Sequence, residues 1–445
     1  MSTTTLPDEH EILIYARVSS KLDELVEEGT PFPLEIDSTL SKALDNMSCI
    51  PFIRFPVSSS YDALARHCTF TVAGAPAGTL GQPHVDLILQ NSMPSPFGRG
   101  SENVMDPSYR SGREIPATNI GFTNNTILED VKRDVEAGMF PGRKVEVKLY
   151  KLAVYEPGGH FDWHMDSTHS NEHHATLLVA LNTSWKGGDL VLRRNDIETH
   201  INLQPQFSEE EEPNEEEEPN EEEKPILQAV AFFTDTEHRV EPVTEGVRIV
   251  LQYDIEAGGE VERDANYIWM HEGEPPMYKV HSDYSSCMAL QGIAQAISDK
   301  AAVEKVITVI TELHELGVDE VAFAMQHLYR KAAISAHCLK GSDVVLYNAL
   351  LASRLFDVSL HPVILRETSY EEDVQEPERY AYWADGVEMD TATPRKKKKI
   401  SCEFHISKWS AIQKISSRDY VEHTGNSAMP AEYRYFGGGM FVRAK

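Results

Sequence analysis

His164 and Asp166 form a His-x-Asp pair inside the stretch Tyr155-Glu156-Pro157-Gly158-Gly159-His160-Phe161-Asp162-Trp163-His164-Met165-Asp166. In a β-strand, residues i and i+2 point to the same face. One imidazole and one carboxylate can then aim at a single point. A third ligand has to come from elsewhere in the chain, and His238, within Asp235-Thr236-Glu237-His238-Arg239-Val240, is the best placed. Two histidines and one carboxylate on one side of an ion leave the opposite positions open. That is the 2-His-1-carboxylate arrangement used to hold Fe(II) for oxygen chemistry. The open positions take a bidentate cosubstrate and dioxygen. His160-x-Asp162 has the same spacing, and spacing alone does not choose between the two pairs.

Arg248 follows ten residues after His238, inside the strand-like run Val247-Arg248-Ile249-Val250-Leu251-Gln252-Tyr253. A planar, permanently charged guanidinium suits bidentate capture of a carboxylate. Beside an iron with open positions it points to an anchor for the distal carboxylate of 2-oxoglutarate. The chain has 18 histidines, so one His-x-Asp is weak on its own. The weight lies in the ordered set: Tyr155, Gly158-Gly159, His164-x-Asp166, Gly187-Gly188, His238, Arg248.

This set resembles the 2-oxoglutarate- and Fe(II)-dependent oxygenases of the prolyl-4-hydroxylase-like superfamily, and among them a group of large, mostly fungal members. Three patches carry the resemblance: Pro96 to Glu102, Tyr155 to Asp166, and Ala231 to Val240. It implies iron ligands at His164, Asp166 and His238, a 2-oxoglutarate anchor at Arg248, and a cosubstrate contact at Tyr155. It implies Fe(II), 2-oxoglutarate and O2 as cofactors, with ascorbate as an optional addition. It also implies hydroxylation of a prolyl residue in a protein. A small-molecule hydroxylase of the same class and a catalytically silent interaction protein are the alternatives. Three positions depart from the pattern. Arg248 stands where collagen-type members have lysine, His173 where an arginine is usual, and Ala180 where a tyrosine is usual. The last two bear on the substrate pocket.

The formal net charge of −30 (41 Lys and Arg against 71 Asp and Glu) disfavours broad contact with a phosphate backbone. Nucleic acid is therefore not expected as a partner. Five scattered cysteines without a Cys-x-x-Cys pair read as reduced thiols in an intracellular protein, cytoplasmic or nuclear. No run approaches the length of a membrane span. Arg395 to Lys399 is a basic cluster open to an import role.

At 445 residues the chain calls for two or three domains. The expected fold is α+β. A double-stranded β-helix (jelly-roll) forms the catalytic core, with flanking helices and a mainly helical C-terminal region. Residues 1–67 read as an N-terminal helical region, 68–257 as the jelly-roll, and 258–445 as an accessory α/β region. Lys144 to Tyr155 alternates as a strand should, Thr176 to Leu181 is a short apolar run, and Leu190 to Arg194 returns after Gly187-Gly188. Val85 to Leu89 reads as a strand. Ser38 to Met47, Met288 to Leu316, Val318 to Ala336 and Asp343 to Leu355 read as helices. Residues 208–224 carry 11 Glu and one Lys, which predicts a disordered acidic insert between two core strands, open to a basic protein partner.

Overall fold

The alternating run that ends at Tyr155 and the apolar run after His173 become central strands of one large sheet. The computed structural model describes residues 32–47, 52–57, 69–99, 102–123, 131–132, 134–136, 139–140, 143–194, 197–207, 225–258, 267–268, 277–278, 287–369, 378–383, 402–418 and 431–445. The chain forms two compact units, Met1–Cys49 with Ile297–Lys445, and Ile50–Ala296. These units do not coincide with the expected boundaries at 67/68 and 257/258. The reason is non-local pairing. Strand Phe32–Ile36 pairs with Cys402–Ile406, while Phe52–Val57 pairs with Pro225–Phe233.

In the unit Ile50–Ala296, ten strands build the site: β1 (Arg110–Ser111), β2 (Arg113–Pro116), β3 (Val145–Tyr155), β4 (His160–His164), β5 (His173–Ala180), β6 (Leu190–Arg194), β7 (Ile197–Ile201), β8 (Pro225–Phe233), β9 (Glu237–Val240) and β10 (Arg248–Ala257). One sheet runs β8-β5-β10-β3-β2 through its centre, and the facing sheet runs β7-β6-β9-β4-β1. Inward side chains from both meet in a shared core. Ala153, Tyr155, Leu178, Ala180, Val230, Phe232 and Val250 come from the first sheet, and Leu190, Leu192, Ile201 and Val240 from the second. Each fully buried Leu or Val side chain contributes roughly 1.5–3 kcal/mol. All of β5 is buried, so the first sheet is covered on both faces and its strands read as continuous apolar runs. Phe140 covers the outer face, its ring 5.7 Å from Phe233 and 6.4 Å from His174. Two antiparallel sheets in this order are consistent with the expected jelly-roll.

The mainly helical C-terminal region is not what forms. In the other unit, Glu320–Ala324, Cys402–Ile406, Phe32–Ile36, Glu378–Trp383, Phe356–Ser369 and Ala431–Ala444 pair in that order, and the last pairs again with the first. The pairing closes on itself. Ala322, Ala324, Val363, Leu365, Phe404 and Phe441 form one core cluster of this ring. Val321, Phe323, Met440 and Val442 belong to a second, with Leu40 and Leu44 of helix Thr39–Asp45 and with Val306 and Ile310 of helix Cys287–Glu315. Glu320–Ala324 had the look of a helix because both its faces are buried, which erases the alternation that marks a strand. Gly341–Ala352 is helical as expected. Val85–Asn91 is a helix where a strand was expected, a common ambiguity for short apolar runs. The acidic insert at 208–224, the basic cluster at 395–399 and residues 1–31 lie outside the described residues. Among the described residues, no helix is long and apolar enough to cross a membrane.

His405 is 2% exposed in this unit. Its Nδ1 lies 2.8 Å from the Ser38 hydroxyl and its Nε2 3.8 Å from the Glu403 carboxylate. Burial lowers its pKa to about 4. The folded state therefore takes up the proton later than the unfolded chain does. Its contribution is intact above pH ~6.5 and is lost as pH falls towards 4, by about 3 kcal/mol in all. His405→Gln should flatten the pH dependence of unfolding free energy in that window by this amount, as read by denaturant titration of both proteins.

Candidate active site

β3 ends at Tyr155 in one sheet and β4 begins at His160 in the other, so the chain must turn between sheets within four residues. Gly158 makes this possible with φ +86°. A Cβ on Gly159 would stand 2.7 Å from the Glu156 carbonyl oxygen. The turn is tied to the β9–β10 connection, Gly158 N–H donating to Val243 O at 2.8 Å and Val243 N–H to Gly159 O at 3.0 Å. β4 then pairs with β9, His164 opposite His238 and Phe161 opposite Val240. A bulge between those two pairs changes the parity of the strand. Phe161 and His164 both face the core side, their ring centroids 3.4 Å apart.

The bulge separates the two His-x-Asp pairs. His160 turns away and its ring nitrogens lie 3.0 and 3.2 Å from the carbonyls of Gly158 and Ser108. Asp162 is exposed and accepts the Trp163 N–H at 2.8 Å. His164, Asp166 and His238 come together, with one possible ligand atom from each within 4.8 Å of the others. His238 Nε2 lies 3.7 Å from Asp166 Oδ1, and the two imidazole centroids are 4.1 Å apart. Metal bonds of about 2 Å can span such separations. The period-2 reasoning does not explain the pair, because β4 stops at His164. Asp166 is instead held by the Thr176 hydroxyl, which donates to Oδ2 at 2.5 Å.

The donor chemistry suits a divalent cation. His164 Nδ1 lies 2.7 Å from Asp162 O, and His238 Nδ1 lies 2.9 Å from Thr236 O. A proton on each Nδ1 satisfies those carbonyls and leaves each Nε2 lone pair for a ligand role. Burial, reinforced by His238, pushes His164 well below its ordinary pKa, which favours the neutral ring that a metal needs. Burial opposes the charge on Asp166, but His238, His164 and the Thr176 hydroxyl outweigh it and hold the carboxyl below the usual range. Thr176→Val should weaken metal affinity about 10- to 100-fold while leaving all three donors present. Titration of the apoprotein with Mn(II) or Fe(II) checks this.

Arg248 opposes Tyr155 across β10 and β3. It is 1% exposed, and none of its three side-chain nitrogens has a hydrogen-bond partner among the described residues. Its guanidinium carbon lies 5.4 Å from the Tyr155 ring centroid, and Asp189 adds a distant attraction. Burial lowers its pKa below the ordinary arginine value. A buried cation without partners is costly unless an anion is meant to join it. Gly188 makes room: at φ +67°, its Cβ would sit 2.8 Å from Val243 Cγ2 and 3.1 Å from Arg248 Cδ. The residues thus fit a carboxylate at Arg248 and a metal at the three donors.

Other groups gather here, among them His173, which the sequence marked as a departure from the family's pattern. His169 Nδ1 lies 2.6 Å from Asp254 Oδ2, and His173 Nε2 lies 3.5 Å from Oδ1. These three have ligand-like spacing. However, His173 Nδ1 accepts the His169 N–H at 3.1 Å and Nε2 lies 3.1 Å from Ala175 O, so both its nitrogens are engaged. Lys151 Nζ donates to Glu114 Oε2 at 2.9 Å, and Arg110 Nη2 lies 3.6 Å from the same oxygen. Register carries the only signal for them, because Lys151 shares the inward face of β3 with Ala153 and Tyr155. The side chain of Arg99 lies outside the described residues.

No curated protein sequence matches this chain. A prolyl-4-hydroxylase from Pseudomonas putida aligns at 14% identity over 49% of this chain and 100% of its own, with TM-score 0.29. A prolyl hydroxylase from Trichoplax adhaerens, solved with a hypoxia inducible factor peptide fragment, aligns at 13% identity over 56% and 94%, with TM-score 0.29. The α-ketoglutarate-dependent epimerase SnoN of nogalamycin biosynthesis aligns at 10% identity over 60% and 97%, with TM-score 0.26. Scores this low carry no argument about substrate. Residues 150–253 match the model of the 2OG-Fe(II) oxygenase superfamily. That span begins one residue before Lys151, takes in the three clustered donors and Arg248, and ends at Tyr253. The chain therefore carries a 2OG-Fe(II) oxygenase domain, of a family whose cofactors are Fe(II), 2-oxoglutarate and O2.

Proposed function

We propose that the chain is an Fe(II)- and 2-oxoglutarate-dependent dioxygenase that hydroxylates its substrate, with His164, Asp166 and His238 holding the metal and Arg248, beside Tyr155, holding the distal carboxylate of 2-oxoglutarate. The observation that carries this reading is the buried Arg248 guanidinium, without a hydrogen-bond partner among the described residues, in the same barrel as the three donors. Bound iron would supply dioxygen activation coupled to oxidative decarboxylation of 2-oxoglutarate. The chain's own work is different. Arg248 neutralises and orients an anion, Thr176 holds Asp166 towards the donors, and the apolar core of Leu190, Leu192, Val240 and Phe232 keeps water away. Positioning of this kind is where a protein contributes when the metal carries the oxidation.

The first substrate to test is a prolyl residue of a polypeptide, with small-molecule hydroxylation as the alternative. Both rest on the sequence patches around Tyr155 to Asp166 and Ala231 to Val240, as does the narrower placement among large fungal-type members. The experiment is conversion of 2-oxoglutarate to succinate by purified full-length protein, with and without Fe(II), followed by a search for products heavier by one oxygen atom. Iron-dependent succinate is the expected result. Its absence across a range of iron concentrations would favour the silent interaction protein instead.

A further inference from the structure

Inward positions on β3 and β10 form levels. Tyr155 faces Arg248, Ala153 faces Val250, and Lys151 faces Gln252. On β5, Thr176 stands opposite Asp254, one inward level beyond Gln252, and Thr176 also holds Asp166. Lys151 is therefore two levels from Arg248 and one level short of Thr176, beside the metal site.

Two cations share one anion at this level. Glu114 Oε2 accepts from Lys151 Nζ at 2.9 Å and from the Ser95 hydroxyl, and Arg110 Nη2 lies 3.6 Å away. Arg110 also donates from Nη1 to Pro96 O at 2.5 Å. Its Nε is buried and has no hydrogen-bond partner among the described residues. Arg110 and Lys151 are 8% and 7% exposed. Two positive groups against one negative group leave one buried positive charge. Two other carboxylates of the site have their own partners. Asp166 is committed to the metal site, and Asp254 is paired with His169, whose pKa it raises by a direct hydrogen bond. An excess charge kept this far from water needs a counterion.

The excess sits close to where the reaction would occur. The Arg110 guanidinium carbon lies 4.4 Å from the Phe161 ring centroid, and Phe161 stacks on His164. Only one ring separates that cation from a proposed metal ligand. Burial, then Arg110, pushes Lys151 below its ordinary pKa, and Glu114 pulls the other way. The chain as a whole carries −30, so a general attraction for anions is not available to do this work.

We propose that the substrate carries a carboxylate that docks on Lys151 and Arg110, a few bonds from the carbon that is hydroxylated. This rests on the function proposed above. Two sources share that chemistry: a free amino or carboxylic acid, and an aspartate or glutamate side chain next to the target residue of a peptide.

The test uses full-length protein with saturating 2-oxoglutarate and Mn(II) in place of iron, so that nothing turns over. Calorimetric binding is measured for small carboxylic acids against their amides, and for Asp- or Glu-containing peptides against their Asn or Gln counterparts. The acid form should bind at least about tenfold more tightly than the amide form. Binding confined to the small acids identifies the first source, and binding confined to the acidic peptides identifies the second. Lys151→Met should abolish the acid-over-amide preference, Lys151→Arg should retain it, and Glu114→Gln should increase it. Because the ratio is read within each variant, partial loss of folding does not mimic the result. Equal binding of acids and amides by the wild type, or an unchanged ratio in Lys151→Met, would overturn the proposal. Loss of iron-dependent succinate formation with the acid preference intact would instead remove the dioxygenase reading and leave an anion-binding site.

Discussion

Arg248→Met should raise the KM for 2-oxoglutarate by roughly 30-fold or more while making the metal-free protein no less stable. The two halves have one cause. A buried guanidinium that gains a carboxylate partner forms a charge-assisted pair, and truncating one side of such a pair costs about 2–5 kcal/mol. In the protein without ligand the same guanidinium is 1% exposed, and none of its three nitrogens has a hydrogen-bond partner among the described residues, so replacing it with an apolar chain of similar length removes a cost. A stabilisation of the apoprotein by about 1 kcal/mol or more follows. The wild type should rise in Tm when 2-oxoglutarate is added, by ordinary mass action, and Arg248→Met should not. Scanning calorimetry with and without 2-oxoglutarate reads both effects. A variant that loses stability yet keeps its 2-oxoglutarate response would show that Arg248 is a structural cation paired with Asp189.

The second large effect is at the metal. Asp166→Ala and His238→Ala should each lower iron-dependent succinate formation about a thousandfold, since several kcal/mol of charge stabilisation leave with the ion. Metal affinity should fall in parallel, measured with Mn(II) so that oxidation plays no part. His160→Ala is the control, because its ring is bonded to the carbonyls of Gly158 and Ser108 and takes no part in the cluster. If His160→Ala and His164→Ala proved equally damaging, the parity change at the β4 bulge would not be the feature that selects the pair.

Much of this site could be read from residue types in their order. The ordered set of Tyr155, Gly158-Gly159, His164-x-Asp166, His238 and Arg248 pointed to the chemistry where no single residue type did, and Gly158-Gly159 marked a tight turn. The alternation at the start of β3 was legible because one of its faces is exposed there, at Glu146, Lys148 and Tyr150. The C-terminal strands were harder. Glu320–Ala324 is buried throughout, so its sequence holds no period by which to tell strand from helix. The expectation of a helical region failed there for that reason.

What the sequence determined on its own was the inventory: which side chains can bind a metal, which can hold a carboxylate, and roughly which segments extend. The tertiary structure decided the pairing of that inventory. A one-residue bulge placed His164 inward and His160 outward. Cross-strand register set Lys151 and Glu114 on the same inner wall and brought Thr176 to Asp166. It also drew Phe32–Ile36 into a sheet with Cys402–Ile406, far along the chain. Each of these depends on a register between strands, and a register is fixed by the sum of contacts along two distant segments, so no local window of sequence contains it.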